Sequence, residues 1–136
     1  IWRAFSPKWV SGIIRPLHGE DVSGLWLAGA GVGLGAPIPT RIADLLRGKN
    51  FNSFDAFRKA FWKTVADDPE LSSQFIPQNI DRMQTGHAPK AQKQDHAGKK
   101  RSFEIHHVDF VSEGGEVYNL DNLRVNTPKN HIEIHR

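Results

Sequence analysis

The stretch FEIHHVDFVSEGGEVYNLDNLRVNTPKNHIEIH, residues 103–135, decides the fold. A short run of β-branched and aromatic residues opens it, a Gly-Gly turn follows at 114–115, and a second apolar run spans 123–125. Thr127-Pro128 then predicts a helix start, because threonine is a good N-cap and proline fits the first helical position. The stretch therefore predicts a strand, a loop, a second strand and a helix.

Histidines lie at both ends of this predicted unit. The first strand carries His106 and His107, and the helix carries His131 and His135. Residues four apart on a helix share one face, with about 5–6 Å between their Cβ atoms, so the helical pair can hold one metal ion together. Neighbouring side chains on a strand point to opposite faces, so only one of the first pair can face that ion, unless the strand ends between them.

This spacing predicts a metal site made of His106, His131 and His135. Three nitrogen ligands leave coordination positions open for water and a phosphate oxygen, as a catalytic metal requires. Imidazole ligands favour zinc or nickel, whereas magnesium prefers oxygen ligands and water. We therefore expect one divalent ion per domain, with zinc or nickel in the three-histidine site.

The length and amino-acid composition limit the classes of protein to which the chain can belong. The 136 residues suit one domain, and a hydrophobic fraction of 38% supplies a core. There is no cysteine, which excludes disulfides and thiolate metal sites, and no apolar run of the roughly 20 residues that a membrane span needs. A net charge of +3 suits a polyanionic partner. Because the chain begins with Ile1, we expect it to be a piece of a longer protein.

Upstream of the histidine-rich stretch the sequence predicts short helices. Their ranges are 39–46, 53–66, 68–72 and 79–84, and Thr40 caps the first. In the second, apolar residues recur at helical spacing and predict a buried stripe of Phe54, Phe57, Ala60, Phe61 and Val65. The predicted fold class is α+β, a mostly helical small domain with the metal-binding motif at 103–136 and an N-terminal arm or linker at 1–24.

These residues resemble a known family. The stretch 103–136 is similar to the HNH, or ββα-metal, nuclease motif, and more closely to the C-terminal DNase domain of the colicin and pyocin bacteriocins. The resemblance rests on the segments 104–107, 114–118, 121–125, 127–129 and 131–136, and upstream on 35–39, 41–44, 53–59, 68–72 and 79–83. It spans residues 25–136, which would form the HNH DNase domain.

The resemblance implies a metal-dependent endonuclease that hydrolyses DNA phosphodiester bonds with little sequence specificity, and for which magnesium can be the working ion. Such a domain is the cytotoxic part of a bacteriocin that is secreted from the producer cell and acts in the cytoplasm of the target bacterium. A cognate, acidic immunity protein would inhibit it in the producer. Upstream translocation and receptor-binding domains would complete the full-length protein.

The resemblance also implies catalytic roles. His107 would be the general base that takes a proton from the attacking water, since a neutral imidazole suits that step near pH 7. The backbone carbonyl of Asn122 would hold its ring, and Glu104 would order the site. Lys100 stands where the family usually has an arginine that touches phosphate, so either Lys100 or Arg101 would make that contact. The alternative for His107 is a metal ligand or a core histidine.

Two further sets of residues follow from the resemblance. An N-terminal arginine, Arg3 or Arg15, would contact the scissile phosphate, and Asn130 replaces a common basic residue, which would weaken DNA contact slightly. The immunity protein would bind the stretch of about 76–101, although composition alone favours a solvated loop for its basic part, 85–101. Its candidate residues are Arg58, Asn79, Asp81, Arg82, Met83, Lys90, Lys93 and Arg101.

Two rival hypotheses remain at this point. One is an HNH toxin of another delivery system, or a nuclease that prefers RNA, which a comparison of DNA and RNA substrates would separate. The other is a non-catalytic, zinc-stabilised nucleic-acid-binding module. His107 argues against that module, because a purely structural zinc site does not require a fourth histidine beside its ligand.

Overall fold

The computed structural model describes residues 12–13, 19–22, 24–108 and 118–134. The Gly-Gly turn at 114–115, the candidate arginines Arg3 and Arg15, and the predicted ligand His135 lie outside the described residues. The helices are α1 (Thr40–Leu46), α2 (Phe54–Asp67), α3 (Pro69–Ser72), α4 (Pro77–Gln84) and α5 (Pro128–Ile134). The strands are β1 (Gly12–Ile13), β2 (Ala36–Pro37), β3 (Asn50–Phe51), β4 (Glu104–His107) and β5 (Leu123–Asn126), and short 3-10 helices lie at Trp26–Gly31, Lys93–Asp95 and Leu120–Asn122.

The predicted strand–strand–helix unit is confirmed. β4 and β5 pair in antiparallel register, with Glu104 opposite Asn126 and His107 opposite Leu123. β2 adds a third antiparallel strand, so the sheet order is β2-β5-β4. α5 begins two residues after the end of β5 and packs back onto both β4 and β5. The domain is therefore a small α+β fold in which helices surround a short sheet.

Helix α2 forms the centre of the core. Ser53 caps it, since its Oγ accepts a hydrogen bond from the backbone N–H of Ala56 at 3.1 Å. The buried members of the predicted stripe are Phe54, Phe57, Phe61 and Val65, whereas Ala60 is partly exposed. Trp62 is also buried, because its ring packs between Phe61 and Trp26, with ring centroids 4.9 and 6.1 Å away. α2 is enclosed by α1, α3 and α4 and buries a wider face than its pattern predicts.

The starts of three helices can be compared with the predicted starts and caps. Thr40 is not a cap: it lies inside α1, and its backbone N–H donates to the carbonyl of Glu20 at 2.9 Å, so the N-terminal segment satisfies this helix end. α4 begins at Pro77, earlier than predicted, because proline fits the first helical position. The Thr127 cap is confirmed, since its Oγ accepts from the backbone N–H of Asn130 at 3.1 Å.

The described parts of the segment 1–24 lie against the domain. β1 pairs antiparallel with β3. The backbone N–H of Gly19 donates to Oδ1 of Asp121 at 3.0 Å, and that of Glu20 donates to the carbonyl of Ile38 at 3.0 Å. The domain boundary at residue 24 stays a prediction. Within the described ranges, no helix combines the length and the apolar character that crossing a membrane requires.

Candidate functional site

β4 and α5 bring two of the predicted metal ligands side by side. His106 lies on β4 and is buried, whereas His131 lies on α5 and is partly exposed. Their ring centroids are 5.2 Å apart, and the two planes meet at 22°. The third predicted ligand, His135, lies outside the described residues, and among the residues that are described no three His, Cys, Asp or Glu side chains form a metal-binding group. The complete ligand set therefore stays a prediction.

The neighbouring histidines of β4 lie on opposite faces of the sheet. Strand pairing is regular through both, so the strand does not end between them. His106 and Glu104 lie on the same face of β4, and α5 covers that face. His107 is buried against the aromatic core, where its ring centroid is 5.0 Å from that of Phe54. The prediction that the two rings cannot share one environment is confirmed.

Glu104 holds the ring of His131. A carboxylate only accepts hydrogen bonds, so Nδ1 of His131 donates to Oε2 of Glu104 over 2.5 Å. This hydrogen bond lowers the pKa of Glu104 below its ordinary value of 4.5 against the opposing effect of partial burial, and the positive charges of Lys100 and Arg58 add to the lowering. Because Nδ1 carries the proton, Nε2 of a neutral His131 is unprotonated, which is the form that a metal ligand needs.

The remaining predicted catalytic residues surround this pair. Lys100 and Arg101 are exposed, and Nζ of Lys100 lies 3.9 Å from the Glu104 carboxylate. The carbonyl of Asn122 accepts a hydrogen bond from the backbone N–H of Val108 at 2.7 Å, which fixes it beside the end of β4. The contact of that carbonyl with the His107 ring stays a prediction.

The residues predicted to bind an immunity protein fall into three groups by exposure. Exposed are Asp81, Lys90, Lys93 and Arg101, and partly exposed are Arg58, Asn79 and Arg82. Met83 is fully buried. Its place in a binding surface is wrong, because this residue lies on the side of α4 that packs into the core around α2.

Two of these residues also organise the loop 85–101. Both side-chain amide atoms of Asn79 bond the backbone of Lys90, with Oδ1 accepting from its N–H at 2.9 Å and Nδ2 donating to its carbonyl at 3.2 Å. Arg82 donates to the carbonyl of Ala88 at 3.0 Å and to Oγ of Ser102 at 3.2 Å. The loop therefore presents its lysines from a backbone that α4 holds in place.

A cleft of about 470 Å³ lies beside His131 and Glu104, and Arg58 and Arg82 of the predicted partner surface also line it. Charged and polar side chains dominate its lining, among them Arg58, Lys59, Arg82, His87, Glu104 and His131. Asp55 also lines the cleft and pairs with Arg58 and Lys59 at 3.2 and 3.8 Å, so the lining carries a small excess of positive charge, which suits an anionic backbone such as that of a nucleic acid.

Two buried asparagines were not found as site residues from the sequence. The side chain of Asn130 donates to the carbonyls of Ala30 and Gly33 at 3.3 and 3.2 Å and is 8% exposed. The predicted weakening of DNA contact by Asn130 stays a prediction, and a side chain turned into the domain is consistent with it. Asn126 is fully buried and contacts Nδ1 of His106. Its only signal in the sequence is a polar residue directly after the predicted strand Leu123-Arg124-Val125.

The comparison with known families identifies the class of domain. The family described as Colicin/Pyocin-S2, DNase domain, matches residues 15–136. The chain belongs to this family of colicin and pyocin DNase domains.

Several characterised proteins are similar to the chain. It is 55% identical to Colicin-E7 of Escherichia coli over 118 residues, which are 87% of this chain and 20% of that protein. It is 52% identical to Pyocin-S1 of Pseudomonas aeruginosa over 118 residues, 87% of this chain and 19% of that protein. A crystal structure of the pyocin AP41 DNase-Immunity complex has a TM-score of 0.88 and 47% identity, covering 92% of each chain. The chain thus spans about a fifth of the length of these two bacteriocins.

Proposed function

We propose that this domain is a metal-dependent HNH endonuclease that hydrolyses DNA phosphodiester bonds with little sequence specificity, as the cytotoxic domain of a bacteriocin. Membership of the colicin and pyocin DNase-domain family supports the reaction class. The observation that carries the proposal is the pairing of the His106 and His131 rings, with a carboxylate on Nδ1 of His131. A carboxylate that orients a histidine in this way is typical of a metal ligand.

The ligands of one divalent ion would be His106, His131 and His135. Nitrogen donors fit zinc or nickel, and magnesium, which keeps several waters, is the candidate working ion. The chemistry supplied by a bound ion is polarisation of the scissile phosphate and stabilisation of the departing 3′-oxygen. Glu104 would keep His131 in its ligating tautomer, as its hydrogen bond to Nδ1 supports.

His107 would act as the general base. Its ring packs against Phe54, which limits its rotation, and the carbonyl of Asn122 lies beside the same strand end. A hydrogen bond from Nδ1–H of His107 to that carbonyl would leave Nε2 to accept a proton from the water that attacks phosphorus. The expected products are a 5′-phosphate and a 3′-hydroxyl.

Basic side chains would hold the DNA strand. Lys100 or Arg101 would contact the scissile phosphate, and the exposure of both supports access to substrate. The neighbouring cleft that carries Arg58 and Lys59 would attract the flanking phosphates by charge. Such contacts neutralise the backbone without reading bases, which agrees with low sequence specificity.

The proposed protein partner is an acidic cognate immunity protein. Solved relatives include the nuclease domain of Pyocin S8 with its cognate immunity protein, at a TM-score of 0.88 and 49% identity. The exposed charges of Lys90, Lys93 and Arg101 would give fast, electrostatically steered association. The whole protein would be secreted by the producer, and this domain would act in the cytoplasm of the target bacterium.

Plasmid cleavage tests the proposal. Supercoiled DNA is incubated with the wild-type domain, with His107→Ala and with the control His96→Ala, first with magnesium and then with EDTA. We expect nicking and then smearing by wild type and control only, abolished by EDTA. If every protein binds the plasmid and none cuts it with magnesium or nickel, the nuclease proposal fails and a non-catalytic nucleic-acid-binding module takes its place.

A further inference from the structure

A buried network of two side-chain amides lies behind His106. Asn126 is opposite Glu104 in the β4–β5 ladder, and its side-chain nitrogen contacts Nδ1 of His106. The same nitrogen donates to the carbonyl of Leu34 at 3.1 Å. Its oxygen accepts from Nδ2 of Asn130 at 2.5 Å. Asn126 is 0% exposed, so water does not compete for these bonds.

Backbone carbonyls fix the orientation of both amides. Nδ2 of Asn130 faces the carbonyls of Ala30 and Gly33, and Nδ2 of Asn126 faces that of Leu34. Carbonyl oxygens only accept, so each amide must direct its NH₂ group towards them. If the Asn126 amide were rotated by 180°, its NH₂ group would face the NH₂ group of Asn130, and its oxygen would face the carbonyl oxygen of Leu34. A buried mismatch of this kind is costly, so the network has one favoured orientation.

Gly35 leaves room for this network. Its φ is +103°, and a Cβ added there would lie 2.5 Å from Nδ2 and 2.7 Å from Oδ1 of Asn126. The Asn126 amide therefore packs directly against the backbone at residue 35. The side chain of Asn126 therefore contacts both the backbone before β2 and the ring of His106 on β4.

We infer that Asn126 selects the tautomer of His106. Its NH₂ group is directed at Nδ1, so Nδ1 must accept, and the neutral ring of the metal-free domain carries its proton on Nε2. Asn126 is a positioning residue in this scheme, because it acts on the site through the imidazole.

The tautomer has a consequence for metal affinity, and this part of the inference rests on the proposed metal site. Because Asn126 contacts Nδ1, His106 would ligate the proposed ion through Nε2. Ligation through Nε2 moves the ring proton to Nδ1, where the fixed amide presents a donor instead of an acceptor. Asn126 therefore lowers metal affinity, and Asn126→Asp, which presents an acceptor, raises it by about 10- to 100-fold, the scale of outer ligand-shell effects.

The first test needs neither metal nor activity. Nitrogen-15 NMR of the metal-free domain, at a pH about two units above the ordinary histidine pKa of about 6.5, reports which nitrogen of His106 carries the proton. We expect the Nε2–H form in wild type and the Nδ1–H form in Asn126→Asp. An Nδ1–H signal in the wild type overturns the inference, whether or not the Asp variant folds, and a failure of the plasmid assay does not affect this result.

The second test is zinc affinity, measured by competition with a chromophoric chelator. The exposed control Asn52→Asp adds the same charge elsewhere. We expect tighter zinc binding by Asn126→Asp than by wild type or the control. If a folded Asn126→Asp variant binds zinc only as tightly as wild type, the proposed link between the His106 tautomer and metal affinity is contradicted.

Discussion

The two faces of β4 hold adjacent histidines by different physical means. On one face, hydrogen bonds from Asn126 to His106 and from His131 to Glu104 surround the paired rings. On the other face, the ring of His107 is buried and packs against Phe54. The contacts described on the first face involve ring nitrogens, whereas the contact described between His107 and Phe54 is between two rings, and the carbonyl of Asn122 is proposed to hold Nδ1 of His107. The difference indicates why two identical side chains, one residue apart, suit different chemical tasks.

The largest expected effect comes from removing the packing on the face of β4 that holds His107. Phe54→Ala deletes a fully buried ring that contacts His107 and Tyr118, so we expect a loss of about 3–5 kcal/mol in the free energy of unfolding. Urea denaturation measures it, with Leu45→Ala on the exposed side of α1 as the control, for which we expect a change within about 0.5 kcal/mol. Zinc affinity of the folded fraction should stay unchanged. A large loss of zinc affinity would show that the two faces are not separate.

A smaller effect is expected on the polar face from Gly35→Ala. The added Cβ would collide with the Asn126 amide, and the positive φ adds backbone strain, so we expect a destabilisation of roughly 2–4 kcal/mol. We also expect tighter zinc binding by the folded variant, because displacing the amide removes the donor that faces Nδ1 of His106. Gly48→Ala is the matched control, because its φ is +79° and a Cβ there meets nothing within 4 Å. Equal losses of unfolding free energy in the two variants would mean that backbone strain alone, and not the amide network, causes the destabilisation.

The smallest expected effect concerns pH. Because the pKa of Glu104 is lowered in the fold, its contribution to stability is fully present above its ordinary value of 4.5 and is lost as pH falls through the folded value. Glu104→Gln should cost at most about 1 kcal/mol near neutral pH, after allowance for solvent screening, and should reduce the acid sensitivity below pH 4.5. Thermal unfolding in EDTA across this range measures it. An unchanged acid slope in the variant would contradict the role of the carboxylate.

Local patterns predicted the parts of the fold that local forces determine. The apolar stripe of α2 and the Thr127 cap of α5 follow from spacing and side-chain chemistry along a few residues. Strand alternation separated His106 from His107 correctly.

Features that depend on contacts distant in sequence were missed or mistaken. The Thr40 cap was wrong because α1 begins at Thr40 itself, whose backbone N–H donates to the carbonyl of Glu20. Met83 was placed in the partner surface by the family resemblance, but it is buried against the core around α2. The Asn126–Asn130 network joins the end of the chain to the segment 30–35, and no local pattern encodes that meeting.

The most direct test of the account measures zinc affinity and plasmid cleavage side by side in His106→Ala and His107→Ala. The account predicts that His106→Ala loses both properties, and that His107→Ala keeps its zinc affinity but loses about 10²- to 10⁴-fold in cleavage rate, the usual contribution of a general base. If His107→Ala loses zinc, or cuts DNA as wild type does, the assignment of separate tasks to the two faces of β4 is wrong.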